Sequence, residues 1–488
     1  MNGLREALLE IVACFPVYRT YIAATVSEQD RRYVEWAVAQ AKRRARLGDT
    51  SVFDFVRSIL LAQAPDDAEP VLHERIRSFA MKVQQFTSPV AAKGVEDTAF
   101  YRYSRLASLC EVGGEPRDFG MTVNAFHGAS ADRAQHWPHT MLATSTHDNK
   151  RSEDVRTRID VLSELTAEWR LMLRRWSRMN RNRKREVDGE PVPTGNEEYL
   201  LYQVLLGSLP HDALDEEGLA DYRNRIKAYM LKAVREAKLR SSWINVDADY
   251  ENALTDFIDQ LLAGGQGDLF LDDLRRQVRV IAWFGALNSL SMTTLKFASP
   301  GVPDIYQGTE LIDLSLVDPD NRRPVDYARR AHLLDSFRTL AAKDDPAGAV
   351  RELARAPEDG RAKFWVASRA LALRREQPGL FERGSYVPLT VQGRRADHVV
   401  AFARVHEREA VIAIAGRLWA KLGATAGTLP LGAAHWDDTA IDLAPLAGWV
   451  SAVNVYTGRT LPLANGTLRL ADLFAEFPAA LLKATRDT

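Results

Sequence analysis

Cysteine is scarce in this sequence: the 488 residues include only Cys14 and Cys110. Two cysteines cannot form a disulfide framework, so a reducing compartment is the expected environment. The first residues mix Arg5, Glu6 and Glu10 into an apolar run and therefore lack the apolar core of a signal peptide. No stretch approaches the roughly 18 apolar residues of a membrane span. These absences predict a cytoplasmic protein that has no membrane partner.

An excess of either charge is also absent. Lys and Arg total 64 against 65 for Asp and Glu, which gives a net charge of -1. This balance argues against bulk electrostatic binding to nucleic acid. One basic run, from Arg170 to Arg185, holds eight basic residues around Trp176, but acidic residues follow it directly. A solvated helix face explains that run better than nucleic-acid binding does.

The chain is long enough for two or more packed units. Apolar spacing predicts helices over residues 1 to about 86, and an irregular, Gly-rich and aromatic-rich pattern predicts structured loops from 84 to 137. A stripe from Tyr222 to Ala237 predicts an amphipathic helix, and alternating segments near 398–403 and 410–414 predict strands. We expect these regions: a helical subdomain with active-site loops (1–140), a strand region (141–155), a helical insertion (156–280), a strand and its following helix (281–345), and a C-terminal all-β domain (346–488).

The strongest motif is a polar run that follows a short apolar strand. Met141 to Ser145 is strand-like and leads directly into Thr146, His147 and Asp148. Barrel enzymes place reacting groups at such strand ends, where a carboxylate and a histidine can face a sugar. The alternative is a helix N-terminus, because Asp is a favoured cap and acidic residues suit the first turn.

Two further motifs combine prolines with polar residues. In the run from Ser299 to Glu310, prolines and glycines fix a turn–strand–turn path on which Tyr306 and Glu310 can reach one rim. For its glycines and Pro303 we favour a purely architectural role. The run from Leu316 to Asp326 alternates charges beside prolines, which suits either a binding loop or a solvated turn.

The run from Lys93 to Tyr103 packs polar and aromatic residues behind a glycine. Aromatic rings fit the C–H faces of a sugar, and polar groups fit its hydroxyls. A loop held together by internal salt bridges is the alternative for this motif.

Taken together and in this order, these motifs resemble maltooligosyl trehalose synthase, a family within the α-amylase superfamily. The resemblance covers most of the chain up to about residue 400, and its long runs are far more specific than any short pattern. Asn149 and Cys110 depart from the family pattern, where Thr and Asn are expected.

The resemblance implies an intramolecular transglucosylation that converts the reducing-end α-1,4 linkage of a maltooligosaccharide into an α,α-1,1 linkage, with no cofactor and no metal. In the family motif the His–Asp pair ends the seventh strand of a (β/α)8 barrel. Asp148 is then the transition-state-stabilising catalytic carboxylate, and His147 donates a hydrogen bond to the same sugar. We expect the remaining substrate contacts within the same motifs: Lys93, Glu96, Asp97, Tyr101, Arg102, Lys150, Arg151, Tyr306, Glu310, Asn321 and Arg322.

Half of the implied active site has no counterpart here. Retaining chemistry needs a nucleophilic carboxylate and an acid/base about 5 Å apart, and the superfamily signatures that carry them, Asp-x-x-x-Asn-His and Gly-x-Arg-x-Asp, do not precede His147. A complete barrel takes about 250 residues, whereas 140 residues precede Met141.

We therefore expect the C-terminal portion of such an enzyme, with an α/β fold made of an incomplete (β/α)8 barrel, helical insertions and a C-terminal all-β domain. Such a chain should be inactive alone, and a separate N-terminal half is a candidate partner. Two alternatives stay open: a non-catalytic α-glucan-binding fragment or subunit, and an α-glucan hydrolase or transglycosylase.

Overall fold

A computed structural model describes residues 2–45, 50–265, 268–343 and 345–486. The chain divides into two compact units. The first unit comprises Met1–Tyr103 and Ala233–Val246, and the second comprises Ser104–Lys232 and Asp247–Thr488. Within the described residues, no helix has both the length and the apolar character needed to cross a membrane.

The first unit is helical, as the apolar spacing predicted. Its helices are α1 (Asn2–Ala13), α2 (Glu28–Arg44), α3 (Ser51–Leu60), α4 (Pro70–Ala91), a π-helix (Ala92–Ala99) and the short α5 (Phe100–Arg102). The Ser27 side chain caps α2 by accepting a hydrogen bond from the Asp30 amide. Apolar residues from α1 to α4 meet in one core that includes Ile11, Val38 and Phe53.

A buried amide joins α4 to the extended segment that precedes α2. The Gln84 side chain accepts a hydrogen bond from the Ile22 amide at 2.6 Å and donates one to the Ile22 carbonyl at 2.8 Å. Ile22 and Gln84 are both buried. Buried backbone groups must find hydrogen-bond partners. The Gln84 side chain supplies these partners for the Ile22 amide and carbonyl, as a neighbouring strand would in a sheet.

Helices dominate the middle of the chain. They are α6 (Val123–His136), α7 (Glu153–Asp160), α8 (Thr166–Asn180), α9 (Gly195–Ser208), α10 (Glu216–Ala237), α11 (Ala248–Leu261), α12 (Leu269–Ala298), α13 (Tyr327–Ala341), α14 (Pro346–Ala354), α15 (Arg361–Glu376) and α16 (Pro378–Arg383). The amphipathic stripe predicted for α10 is confirmed, because Tyr222, Ile226 and Met230 are buried.

Helix α7 is packed between α9 and α12 at two glycines. A Cβ atom at Gly207 of α9 would lie 2.8 Å from the Val155 side chain, and one at Gly285 of α12 would lie 2.5 Å from the Arg158 side chain. Real Cβ atoms do not approach so closely, so only glycine permits this spacing. Helix α7 therefore packs closely against the backbones of both α9 and α12, and these two contacts fix its position.

Two short strands form a parallel pair. β1 (Met141–Leu142) pairs with β4 (Val302–Pro303), with Met141 opposite Val302 and Leu142 opposite Pro303. A hairpin of β2 (Arg185–Val187) and β3 (Glu190–Val192) lies between them in sequence. Because β1 and β4 are parallel neighbours, the segments that follow them leave the pair at the same end.

The C-terminal part is an all-β sheet region. Its strands are β5 (Ser385–Pro388), β6 (Val391–Gln392), β7 (Val399–His406), β8 (Glu409–Gly416), β9 (Ala440–Asp442), β10 (Trp449–Asn454), β11 (Thr460–Pro462), β12 (Thr467–Arg469) and β13 (Ala479–Arg486), with short helices α17 (Ala433–Trp436) and α18 (Leu470–Leu473). One antiparallel sheet has the order β11-β10-β13-β8-β7-β5, and a second has the order β12-β9-β6. The fold is thus a mixture of helices and sheets. Helices predominate up to about residue 383, and the larger sheets follow.

Two regions differ from the expectation. Much of the segment 84–137, expected as loops, is helical, since α4 runs to Ala91, the π-helix follows it, and α6 begins at Val123. The segment expected as all-β from residue 346 starts with α14, α15 and α16, and its first strand begins at Ser385.

We predict that Gln84→Ala lowers the free energy of unfolding by roughly 2–4 kcal/mol, because it leaves the buried Ile22 amide and carbonyl without partners. Denaturant unfolding followed by circular dichroism measures this change. Gln85→Ala is the matched control: Gln85 is exposed, so its effect should stay within about 0.5 kcal/mol. Equal effects of the two substitutions would show that the Gln84 hydrogen bonds do not hold the segment.

Candidate active site

His147 and Asp148 lie on a tight turn a few residues after the end of β1 at Leu142, and both side chains are exposed. Internal hydrogen bonds hold the turn: the Thr146 amide donates to the Asn149 side chain, and the Asp148 amide donates to the Thr146 hydroxyl at 3.2 Å. From a distant segment, the side-chain amide nitrogen of Asn321 donates a hydrogen bond to the His147 backbone carbonyl at 2.9 Å. The backbone of the turn is therefore fixed while its two functional side chains face solvent.

A buried carboxylate holds the chain just beyond this turn. Glu111 accepts hydrogen bonds from the Lys150 amide at 2.9 and 3.1 Å and from the Arg151 amide at 3.1 Å. Its carboxylate also lies 3.6 Å from the Arg156 guanidinium. Two successive amides that share one carboxylate leave little freedom for the backbone, so Glu111 extends the rigid part of the site to residue 151.

The loop after β4 contributes a second group of side chains near His147. The Tyr306 hydroxyl donates to the Asn321 carbonyl at 3.1 Å. Arg322 lies 3.3 Å from the Asp318 carboxylate, and Lys232 donates to the same carboxylate at 2.5 Å. Burial opposes ionisation of Asp318, but Lys232 and Arg322 outweigh it and hold its pKa below the usual range. Asn321 thus links Tyr306 to the His147 backbone, while Arg322 and Lys232 flank an ionised Asp318 on the same loop.

Beneath the turn lies a buried cluster of charged side chains. Glu153 and Asp154 are the first residues of α7, and Lys363 of α15 pairs with both, at 2.7 Å and 2.8 Å. Lys296 of α12 lies 3.7 Å from Glu153 and donates to the Thr144 hydroxyl at 2.8 Å. Thr144 in turn donates to Glu153. We call Glu153, Asp154, Lys296 and Lys363 the buried charge cluster.

Further polar contacts complete the cluster. The Ser289 hydroxyl of α12 donates to one oxygen of Asp154, and the Asp313 amide donates to the other at 2.8 Å. Asp313 lies on the loop after β4. The cluster therefore connects the end of β1 and the loop after β4 to three helices, and these two segments carry the candidate site.

Electrostatic attraction outweighs burial at the centre of this cluster. Burial alone would raise the pKa of Glu153, but Lys363 and Lys296 lower it from 4.5 to about 2. Burial alone would lower the pKa of Lys363, but Asp154 and Glu153 hold it above the usual range. The pKa of Lys296 is lowered because burial dominates there. Glu153 and Lys363 are therefore a mutually stabilised ion pair.

Lys150 and Arg151, expected to bind substrate, are both buried. The Arg151 guanidinium donates to the Tyr229 hydroxyl at 2.7 Å and to the Cys110 carbonyl. Arg151 therefore stabilises the protein beside the turn, because its side chain is hydrogen-bonded to other residues of the chain. Glu310 is also held by the protein, since Arg330 lies 3.0 Å from its carboxylate and donates to the Gly308 carbonyl at 2.7 Å.

The remaining expected site residues lie together in the first unit. Lys93 and Asp97 form an ion pair at 2.5 Å across one turn of the π-helix, and Glu96 accepts a hydrogen bond from the Tyr18 hydroxyl. Arg102 donates to the Ala237 carbonyl at 2.6 Å, and Tyr101 is buried. The motif is therefore a compact polar and aromatic helical segment. The Lys93–Asp97 ion pair is an internal salt bridge of the kind that the alternative interpretation expected for this motif.

Sequence reasoning missed four residues that shape the site: Glu111, Lys232, Asp318 and Lys363. Asp318 lay within a recognised motif, beside Pro319, but was not singled out. Glu111, Lys232 and Lys363 act through contacts across 39, 86 and 209 residues. Such distant pairings leave no local pattern in the sequence.

Comparisons with known proteins give consistent matches. No family model matches the chain. A Mycobacterium tuberculosis protein that carries the name maltooligosyl trehalose synthase is 36% identical over 403 residues, which cover 83% of this chain and 45% of that protein. The structure of maltooligosyltrehalose synthase from Arthrobacter ramosus matches with a TM-score of 0.77 at 36% identity and covers 99% of this chain and 55% of that one.

A third match comes from Sulfolobus tokodaii. Its protein, described as a hypothetical maltooligosyl trehalose synthase, has a TM-score of 0.70 at 27% identity and covers 99% of this chain and 54% of that chain. This chain spans about half the length of the relatives that it matches. The resemblance inferred from the motifs is thereby confirmed.

We predict that the buried charge cluster makes stability depend on pH. The pKa of Glu153 lies near 2 in the folded chain, against a reference value of 4.5. Its contribution to stability is therefore complete above about pH 4.5 and is lost as the pH falls toward about 2. Glu153→Gln removes this contribution, so the variant should lose less stability than the parent chain between about pH 6 and about pH 3.

Denaturant unfolding at several pH values tests the prediction. Glu168→Gln is the control because Glu168 is exposed on α8, and its pH profile should follow that of the parent chain. If Glu153→Gln also gave the parent profile, the Glu153 ion pairs would carry no pH-dependent stability.

Proposed function

The chain is related in sequence and fold to maltooligosyl trehalose synthases, and on that basis we propose that it is the part of such an enzyme that carries the transition-state-stabilising carboxylate. The substrate is a maltooligosaccharide, and the reaction moves its reducing-end glucose from an α-1,4 to an α,α-1,1 linkage by intramolecular transglucosylation. The product, maltooligosyl trehalose, is an intermediate of trehalose biosynthesis.

The observation that carries the proposal is the anchored turn after β1. His147 and Asp148 are exposed, while Asn321 and Glu111 fix the backbone before and after Asn149. Catalytic groups need this combination, because rigid positioning lets them interact with the transition state without reorganising at the moment of reaction. A simple helix cap would need no such support from residues 39 and 174 positions away.

In this proposal Asp148 accepts hydrogen bonds from sugar hydroxyls, and its negative charge favours the positive, oxocarbenium-like ring of the transition state. His147 donates a hydrogen bond to the same sugar. Tyr306 and Arg322 lie close enough to His147, through Asn321 and Asp318, to contact the substrate beside it.

Buried side chains act indirectly. Lys150 and Arg151 position the turn from below, and Asn321 orients it by holding the His147 carbonyl. Glu310 shapes the loop after β4 through Arg330. For the motif of the first unit we keep the substrate-binding role expected of Lys93, Glu96, Asp97, Tyr101 and Arg102, which its polar and aromatic character supports; Glu96 and Tyr101 are buried and act indirectly.

We also propose that β1 and β4 are strands seven and eight of an incomplete (β/α)8 barrel. Their parallel pairing supports this assignment. So does the exposure of their outer residues, since Met141 is 66% and Val302 48% exposed, whereas parallel barrel strands are normally covered on both faces. In this assignment the other strands, with the nucleophile and the acid/base, correspond to the part of the relatives that this chain does not match.

We propose the region limits expected from the sequence, with helices α14 to α16 placed before the first strand of the last region. The two compact units divide the chain at other positions. Residues 1–140 form the helical subdomain and active-site loops, 141–155 and 281–345 contain the two barrel strands, 156–280 form the helical insertion, and 346–488 form the C-terminal domain. One observation favours a second candidate function, a non-catalytic α-glucan-binding subunit: the signatures of the two missing carboxylates do not precede His147.

We predict that the chain alone does not convert maltopentaose, because the nucleophile and acid/base are missing. Mixed with the part of the Arthrobacter ramosus enzyme that this chain does not match, it should form maltooligosyl trehalose, measured by chromatography of the products. The Arthrobacter ramosus enzyme divided at the matching point is the positive control. Turnover by the chain alone would contradict the proposal, and release of glucose as the main product would favour hydrolysis.

In the reconstituted enzyme, Asp148→Asn should lower kcat by roughly a thousandfold or more and leave KM nearly unchanged, because the lost interaction is strongest in the transition state. Steady-state kinetics with maltopentaose measures both constants. Asp335→Asn is the control, since Asp335 is an exposed carboxylate of α13. If Asp148→Asn kept near-parent kcat, Asp148 would be a cap of the turn and the proposed role would be lost.

A further inference from the structure

An open groove in the first unit lies outside the candidate active site. It has a volume of about 980 Å³ and is bounded by α1, α3 and α4. Its walls are mainly apolar and include Leu4, Leu8, Phe55, Ile59, Leu72 and Phe79. Phe55 is 56% exposed. Large apolar side chains that share one exposed concave surface commonly mark a binding site.

The exposed apolar residues of α4 follow a regular interval. Leu72, Phe79 and Phe86 are spaced seven residues apart and are 42%, 43% and 56% exposed. Seven residues are close to two helical turns, so these side chains form one stripe along the helix. The buried side of α4 is formed by other residues, including Ile76 and Val83. A stripe with this period is the surface that one helix offers to a second helix lying beside it.

A row of positive charges accompanies the stripe. Arg75 and Lys82 line the groove three residues after Leu72 and Phe79, and Arg5 lines it from α1. The groove has one acidic lining residue, Glu74, against these three cations. Across the described ranges, no carboxylate forms an ion pair with Arg5, Arg75 or Lys82. The rim therefore offers unpaired positive charge beside the apolar stripe.

We propose that this groove binds an amphipathic helix of a separate protein. The apolar face of that helix fills the groove along Leu72 and Phe79, which line it, and continues along the stripe to Phe86. Acidic residues on its flank pair with Arg5, Arg75 and Lys82. A concave groove of this volume can receive the protruding side chains of a helix. A membrane surface is flat and has no such side chains to fill the groove. The site is distinct from the residues assigned to the sugar reaction, and the proposal does not depend on that reaction.

A designed peptide tests the proposal on the intact chain. The probe is a fluorescein-labelled helical peptide of about 20 residues, matched in length to α4, with leucines on one face and glutamates on its flanks. A second peptide has lysines in place of the glutamates. Fluorescence anisotropy should show at least tenfold tighter binding of the glutamate peptide, and its affinity should fall as salt is added.

Substitutions in the groove separate shape from charge. Phe79→Glu should abolish binding of the glutamate peptide, whereas Trp36→Glu should not, because Trp36 is a similarly exposed aromatic residue of α2 outside the groove. The double substitution Arg75→Glu and Lys82→Glu should reverse the preference, so that the lysine peptide binds more tightly. Circular dichroism spectra confirm that each variant remains folded.

Several results would overturn the proposal. Equal binding of the two peptides, or binding that survives Phe79→Glu, would show that the groove does not recognise an acidic helix. Self-association that depends on concentration and is lost in Phe79→Glu would identify a second copy of this chain as the occupant. Loss of peptide binding on mixing with the complementary Arthrobacter ramosus part would show that the groove is covered within the whole enzyme.

Discussion

The ion pairs of Glu153 and Asp154 with Lys363 are the interaction on which the second unit's candidate site depends. These charges are buried, and a buried charge without a partner is strongly destabilising. The pairs with Lys363 form only when α7 and α15 have come together, and the contacts of Lys296 add α12. Asn321 and Glu111 hold the turn itself, while the helices support the segment just before it through Thr144 and Lys296.

Elements with strong periodicity were predictable from the sequence, and weakly patterned elements were not. Helices α1 to α4, the buried stripe of α10 and the strands near 399–406 and 409–416 agree with their apolar spacing. The segment 84–137 was expected to form loops because its pattern is irregular and rich in Gly and aromatic residues, yet α4 continues through Pro89 and the π-helix through Gly94, although both residue types disfavour helix interiors. Where the local sequence pattern is weak, tertiary packing determines whether a segment is helical.

The site was predictable only in part, for the same reason. A polar pair after a short apolar strand located His147 and Asp148, and the structure leaves both exposed. The neighbouring Lys150 and Arg151 carry charges that normally face water, and no local pattern indicates that they are buried. Their environment comes from Glu111, Cys110 and Tyr229, which are distant in the chain.

The two glycines that flank α7 bear on how this sequence can evolve. Gly207 and Gly285 are not among the candidate site residues, yet the smallest added side chain at either position would displace α7 and, with it, the charges beneath the turn. Asp148 is exposed, so its exchange should leave the packing of α7 unchanged. Substitutions can therefore alter the candidate site by two separate routes, through the scaffold or through the exposed side chains. Both glycines should persist even where the exposed residues vary, because the fold itself requires them.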